Sequence, residues 1–158
     1  MSAAAAVEIR RFEPRDAQSV WNLHNRALEG TGANLGDGTW DVDVRDPTSH
    51  YLAVGGEFLV GHIGGALVVM GAFLPVGTDI VEIKRMRVEP SLHRRGLGAH
   101  MLSELEAHAV AKGYRLAKLD TTRQQIAAQA LYIAAGYTVV GAGRVASFET
   151  VLFEKRLQ

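Results

Sequence analysis

The chain has 158 residues, enough to bury one ordinary core and short for two, so a single domain spanning 1–158 is expected. Apolar residues make up 47% and charged residues 22%, which excludes disordered and fibrous classes. Seventeen Lys+Arg against seventeen Asp+Glu give zero formal net charge and no global field for a nucleic acid, and the lack of cysteine removes disulfides, thiolate metal ligands and a cysteine nucleophile.

Met1 to Ala6 has no basic region and only four alanines of apolar length, so it does not read as a secretory signal, and a cytoplasmic location is the expectation. Val7 to Phe12 alternates Val7, Ile9 and an aromatic with charged partners, which predicts a half-buried strand. Pro14 suits a first helical turn, and Ala17, Val20, Trp21, His24, Ala27 and Leu28 recur on one face, predicting a helix that ends near Gly30. Glu29 to Thr39 carries Gly30, Gly32, Gly36 and Gly38 with Asn34 and Asp37, the composition of a mobile loop.

Phe58–Ile63 and Ala66–Leu74 are β-prone runs joined by Gly64-Gly65, a hairpin signal. The longest apolar stretch, Ile63 to Val76, is broken by Gly64, Gly65, Gly71 and Pro75 and falls short of the roughly 20 residues a membrane helix needs. It reads as buried strands, with no membrane partner. Thr78–Val88 predicts a further strand. Gly98–Lys112 sets Met101, Leu102, Leu105 and Ala109 on one stripe and stops at Gly113, as a helix should. Tyr114–Leu119 predicts a strand, Gln125–Ala135 a short helix closed by Gly136, and Tyr137–Val140 and Phe148–Lys155 the last strands. This order gives an α/β chain of the α+β type: a mixed sheet with helices on both faces, antiparallel first, then a βαβ crossover from Val88 to Leu119.

The turn on that crossover, Glu89-Pro90-Ser91-Leu92-His93-Arg94-Arg95-Gly96-Leu97-Gly98-Ala99, has two readings. It is a plain tight turn, or its glycines aim backbone N–H groups at a pyrophosphate over the positive end of the following helix, with Arg94 and Arg95 adding charge. No Gly-Lys-Ser/Thr follows, so a Walker loop is absent. Met101 stands where a dinucleotide fingerprint has its third glycine, which disfavours a dinucleotide-binding oxidoreductase fragment.

Glu82-Ile83-Lys84-Arg85-Met86-Arg87-Val88-Glu89-Pro90, then Arg94-Arg95-Gly96-Leu97-Gly98, then Ala130-Leu131-Tyr132 with Gly136-Tyr137, resemble the GNAT superfamily of acyl-CoA N-acyltransferases in order and spacing. The family signature is Gln/Arg-x-x-Gly-x-Gly/Ala, and His93 holds its first position here. The resemblance implies a central six- or seven-stranded mixed sheet flanked by helices and splayed at the fourth and fifth strands by a bulge. It implies acetyl-CoA as acyl donor, with the backbone of Met86, Arg87 and Val88 along the pantetheine arm. Arg94, Arg95, Gly96, Leu97, Gly98 and Ala99 would then hold the pyrophosphate. Gln125 stands where many relatives carry an asparagine that touches the cofactor arm.

By the same resemblance Tyr132 sits beside the cofactor sulfur, where a phenol donates to the departing thiolate. The alternative is a core tyrosine satisfied by one hydrogen bond, a role for which Tyr137 is the better candidate. Glu82 lies six residues before Val88, the offset of the general base in the histone-acetylating branch. Its alternatives are to orient an already neutral amine, or to pair as a strand glutamate with Lys84, Arg85 or Arg87.

Acceptors in the family approach from the first helix, the loop after it and the late strands. His24 faces either the core or the acceptor pocket, with a satisfied core histidine preferred. Trp40 offers a cation–π face among Glu29, Asp37, Asp41, Asp43 and Asp46, which otherwise read as a solvated acidic loop. Met70 and Met86 read as packing residues. His100, Glu104 and His108 share a helix face but lack a second ligand cluster, so no metal is predicted. The expected function is an N-acetyltransferase moving acetyl from acetyl-CoA to a primary amine of a small molecule or peptide by direct attack in a ternary complex. The rival is a non-catalytic acyl-CoA-binding regulatory module. Family members often dimerise, which leaves a homodimer open.

Overall fold

The computed structural model describes residues 3–29 and 41–158. The expectations placed on Gly30 to Trp40, including the glycine-rich loop and the Trp40 ring, lie outside the described residues. Seven strands form one sheet: β1 Glu8–Arg11, β2 Glu57–Ile63, β3 Ala66–Pro75, β4 Ile80–Val88, β5 Leu116–Thr122, β6 Thr138–Val145 and β7 Phe148–Arg156, in the order β1-β2-β3-β4-β5-β7-β6. Every pairing is antiparallel except β4 with β5. The mixed sheet expected from the sequence is therefore present with seven strands, and β6 runs five residues beyond the expected Val140.

The helices are α1 Ala3–Ala6, α2 Ala17–Leu28, α3 Val42–Arg45, α4 Pro47–His50, α5 Leu97–Ala111 and α6 Ile126–Ala134, with 3-10 turns at Pro14–Asp16, Leu52–Val54 and Pro90–Leu92. α2 lays Val20 and Leu23 on Val60, Met70 and Ala72, forming the core of one sheet face. α5 lays Leu97, Met101, Leu102 and Leu105 on Leu59, Val69, Phe73, Val81 and Ile83 on the other face, where α6 adds Ala128, Leu131 and Tyr132. Each fully buried Leu or Phe contributes roughly 1.5–3 kcal/mol relative to exposure. α5 ends as its glycine predicts. Gly113 takes φ of +94°, and Tyr114 N–H closes onto Ala109 O at 3.0 Å.

Two irregularities of β4 position the site. Between the pairs Met70↔Arg87 and Ala72↔Lys84, β3 advances two residues while β4 advances three, so β4 carries a bulge, and Arg85 within it has φ of +59°. The extra residue resets the alternation of faces. Met86 packs into the α5 core, near the missing Cβ of Gly71, while Arg87 reaches His24 on α2 at the opposite face. The second irregularity is the parallel ladder, which holds only Ile80↔Leu116, Val81↔Ala117 and Glu82↔Lys118. Beyond Glu82 the two strands separate, the splay expected between the fourth and fifth strands.

Candidate active site

The splay opens a cavity of about 410 Å³, within the range of small-molecule sites. β4 contributes its wall from Glu82 to Arg87, β5 contributes Asp120, Thr121 and Thr122, and Gln125, Ala128 and Tyr132 come from α6 and its cap. Asp41 and Leu28 close the α2 side, and Phe148 and Thr150 the β7 side. Thr150 Oγ1 is a buried side-chain oxygen with no hydrogen-bond partner among the described residues.

Glu82 is half-buried on the cavity wall, and its carboxylate makes no hydrogen bond or ion pair with the described residues. Two of the three cations named as its partners are engaged elsewhere, Arg85 with Asp43 and Arg87 with His24, and Lys84 forms no ion pair with it. Tyr132 is 6% exposed, and its hydroxyl also has no partner among the described residues. Burial pushes its pKa up to about 12 against the opposing charge of Arg87, so the phenol keeps its proton at neutral pH. Tyr137 differs: its hydroxyl donates to Glu106 Oε2 at 2.9 Å inside the core. The neighbouring phenols, 5.9 Å apart by ring centroid, thus divide into one satisfied and one open to the cavity.

Of the acidic residues that read as solvated, Asp46 is exposed, whereas Asp41 is buried and Asp43 half-buried. Asp43 accepts from Arg85 Nε at 2.9 Å and Nη2 at 2.7 Å, and from the Tyr51 hydroxyl. Burial alone would raise its pKa, but these donors and the Arg85 charge hold it down at about 2. Asp41 is 5% exposed and lies 3.0 Å from His24 Nε2. Asp46 caps α4, accepting from Ser49 N–H at 3.3 Å. The physical reason is the bulge, which turns Arg85 toward this segment and supplies the charge that lets carboxylates sit inside.

His24 has no solvent exposure and stands behind the cavity wall. Arg87 Nε donates to its Nδ1 at 3.3 Å, so the imidazole proton sits on Nε2 and is donated to Asp41. Burial, with the charges of Arg87 and Arg85 against the opposing pull of Asp41, lowers the pKa to about 4, and the ring is neutral at neutral pH. Arg87 also donates from Nη1 to Met86 O at 2.9 Å. Burial and the Arg85 charge lower its pKa to about 10, which leaves it charged at neutral pH.

At the far end of β4, Arg94 takes φ of +63° and Gly96 φ of +83°, and α5 begins with no side-chain cap. The N–H groups of Leu97, Gly98 and Ala99 have no acceptor among the described residues, the arrangement an anion would complete. A Cβ on Gly98 would stand 3.1 Å from Leu131 Cδ2 and 3.6 Å from Val88 Cγ2, so this glycine lets α5 close on α6 and β4. His93, Arg94 and Arg95 are exposed. Gln125 Oε1 accepts from Thr121 Oγ1, Thr122 Oγ1 and Thr122 N–H at 2.9, 3.0 and 3.2 Å, which fixes the amide and leaves its Nε2 without a partner among the described residues.

Of the residues named from the sequence, Glu82, Met86, Arg87, Gln125 and Tyr132 come together on the cavity, while Val88 and Arg94 to Ala99 form the adjoining turn. His100 pairs with Glu104 at 3.7 Å, whereas His108 turns to Glu57 at 3.1 Å. Among the described residues no cluster of His, Cys, Asp or Glu could hold a metal, and no helix is long and apolar enough to cross a membrane. Sequence reasoning missed Asp120 and Thr150, read Asp43 as solvated, and saw the side chains of Arg85 and Arg87 only as partners for Glu82. The alternation of Asp41 with Asp43 and of Arg85 with Arg87 was the available signal.

Residues 12–137 match the model of a family described as the acetyltransferase (GNAT) family. Probable N-acetyltransferase 14 from Xenopus tropicalis is 43% identical over 61 residues, a match covering 39% of this chain and 30% of that relative's length. An acetyltransferase of the GNAT family from Staphylococcus aureus Mu50 superposes with a TM-score of 0.87 at 16% identity, covering 97% of this chain and 100% of the other. The yncA protein of Salmonella typhimurium, solved with its cofactor acetyl-CoA, superposes with a TM-score of 0.80 at 23% identity, covering 97% and 95%.

Proposed function

Since the chain belongs to the GNAT acetyltransferase family, we propose that it moves an acetyl group from acetyl-CoA to a primary amine of a small molecule or peptide, by direct attack in a ternary complex. The observation that carries this reading is the cavity at the β4–β5 splay, where Glu82 and the Tyr132 phenol both lack partners among the described residues. A fold neighbour solved with acetyl-CoA supports the donor. So do the unpaired N–H groups at the start of α5, which suit a pyrophosphate.

Acetyl-CoA, when bound, supplies an activated thioester carbonyl. Met86, Arg87 and Val88, whose strand has parted from β5, turn that backbone edge to the pantetheine arm, with the Met86 carbonyl accepting from Arg87 Nη1, and the Gln125 Nε2 donor lies on the same wall. Arg94 to Ala99 hold the pyrophosphate. Glu82 takes the proton the amine loses as its N–C bond forms, or orients an amine that arrives neutral. Tyr132 gives its phenolic proton to sulfur as the C–S bond breaks, and both residues recover their protonation state by exchange with water. Proximity in one cavity replaces a covalent acyl-enzyme.

Incubation with acetyl-CoA and a pool of polyamines, aminoglycosides, amino acids and peptides tests the reading. Free thiol release together with N-acetylated products by mass spectrometry is expected. Tight acetyl-CoA binding without product across the pool would favour the non-catalytic acyl-CoA-binding module. Acetylation confined to protein N-termini would remove the small-molecule acceptor.

A further inference from the structure

Arg87 is a cation on the cavity wall whose hydrogen-bonding partners are both uncharged. Nε is taken by the neutral His24 ring and one Nη1 hydrogen by the Met86 carbonyl. No carboxylate forms an ion pair with it among the described residues. The neighbouring acids are committed elsewhere: Asp43 accepts from Nε and Nη2 of Arg85, and Asp41 accepts a hydrogen bond from His24 Nε2. A half-buried guanidinium left without a counter-charge is costly, and the cost is relieved by an anion that enters the site. The Nε and Nη1 anchors lie on opposite flanks of the guanidinium and fix its plane, and they leave Nη2 without a partner among the described residues, a charged donor for a carboxylate oxygen. Glu82 and Asp120, on the same cavity, complement an ammonium group.

We propose that the Arg87 guanidinium is the subsite for a carboxylate on the acceptor, so that the amine acetylated here belongs to the class of amino acids. This inference rests on the amine-acetylation reading above. It makes Arg87 a specificity residue, with His24 as the positioning residue behind it.

The test compares each amino acid of a panel with its own primary amide as acceptor, in the wild-type protein and in Arg87→Met and Arg87→Lys. The wild type is expected to favour the acid over the amide by about tenfold or more in kcat/KM. Arg87→Met is expected to collapse that ratio through KM for the acid, while Arg87→Lys retains part of it. Equal use of acid and amide by the wild type would overturn the proposal, whether or not the variants fold. So would an unchanged acid-to-amide ratio in a folded Arg87→Met whose kcat falls for both, a result that would assign the charge to the departing sulfur. Calorimetry with N-acetylglycine and N-acetylglycinamide, on the protein loaded with CoA, reads the subsite without turnover. Preference for the acid in the wild type and its loss in Arg87→Met support the subsite even if no amine is acetylated. Equal binding of both compounds sinks it independently of the proposed reaction.

Discussion

Arg85 grips Asp43 through two hydrogen bonds, 2.9 Å from Nε and 2.7 Å from Nη2, from a backbone with φ of +59°. A left-handed conformation costs a non-glycine residue roughly 1–2 kcal/mol, and this paired fork is what offsets it. Removing Asp43 leaves a largely buried guanidinium without its main partner. Asp43→Ala is expected to lower unfolding free energy by about 3 kcal/mol in urea titration. Tyr51→Phe, which removes only a hydroxyl donor to the same carboxylate, should cost about 1 kcal/mol.

Stability should fall in mild acid because of His24. Its folded-state pKa of about 4 lies below the ordinary 6.5. Between those values the unfolded chain binds the proton and the folded chain resists it, since Arg87 occupies Nδ1 and Arg85 adds to the opposing field, against the pull of Asp41. The stability lost as pH drops through this window is roughly 3 kcal/mol. Asp43 then acts at lower pH. Its depressed pKa of about 2 contributes stability that is complete above 3.8 and is lost as pH falls toward 2. His24→Gln, whose amide can donate to Asp41 and accept from Arg87, should flatten the slope between pH 6.5 and 4 in denaturation curves. A slope unchanged by that substitution would remove His24 as its source.

The two open groups of the cavity predict different kinetic losses. Tyr132→Phe should reduce kcat by about 10²-fold with little change in acetyl-CoA affinity, since only a proton donor is removed. Glu82→Gln, if Glu82 takes the proton, should remove the acidic limb of the kcat/KM profile. A raised acceptor KM with the profile intact would leave it only an orienting role. Stopped-flow thiol detection across pH separates the two.

Gly96 carries φ of +83° at the start of α5, where a side chain is strained. Gly96→Ala should cost about 1 kcal/mol of stability and weaken CoA binding by twisting the adjoining N–H groups. Calorimetry with CoA, paired with thermal unfolding, checks both effects. Unaltered CoA affinity in a destabilised variant would detach the turn from the phosphate.

The sheet and its crossover were legible because their signals are local. Gly64-Gly65 marks the β2–β3 hairpin, Gly113 stops α5, and three motifs in order point to one family. The segment from Val42 to Val54 was not legible, because helices of four residues and a 3-10 turn are too short to show a period. The bulge at Arg85 carries no glycine and becomes visible only in the register with β3. The Asp41–His24–Arg87 chain joins residues 17 and 63 positions apart, so periodicity on α2 could show that His24 faces inward but not what it meets. Carboxylates in a loop read as solvated until their cations are known, which is why the burial of Asp41 and the half-burial of Asp43 were not legible.

Gly98 lets α5 sit against Leu131, the residue immediately before Tyr132. The turn proposed for the pyrophosphate and the phenol proposed for the sulfur are therefore mounted on one contact, and their separation acts as a ruler. A carrier whose arm matches that length presents its thioester at the phenol. One with a shorter or longer arm would sit out of register at one end or the other, whatever acyl group it bears.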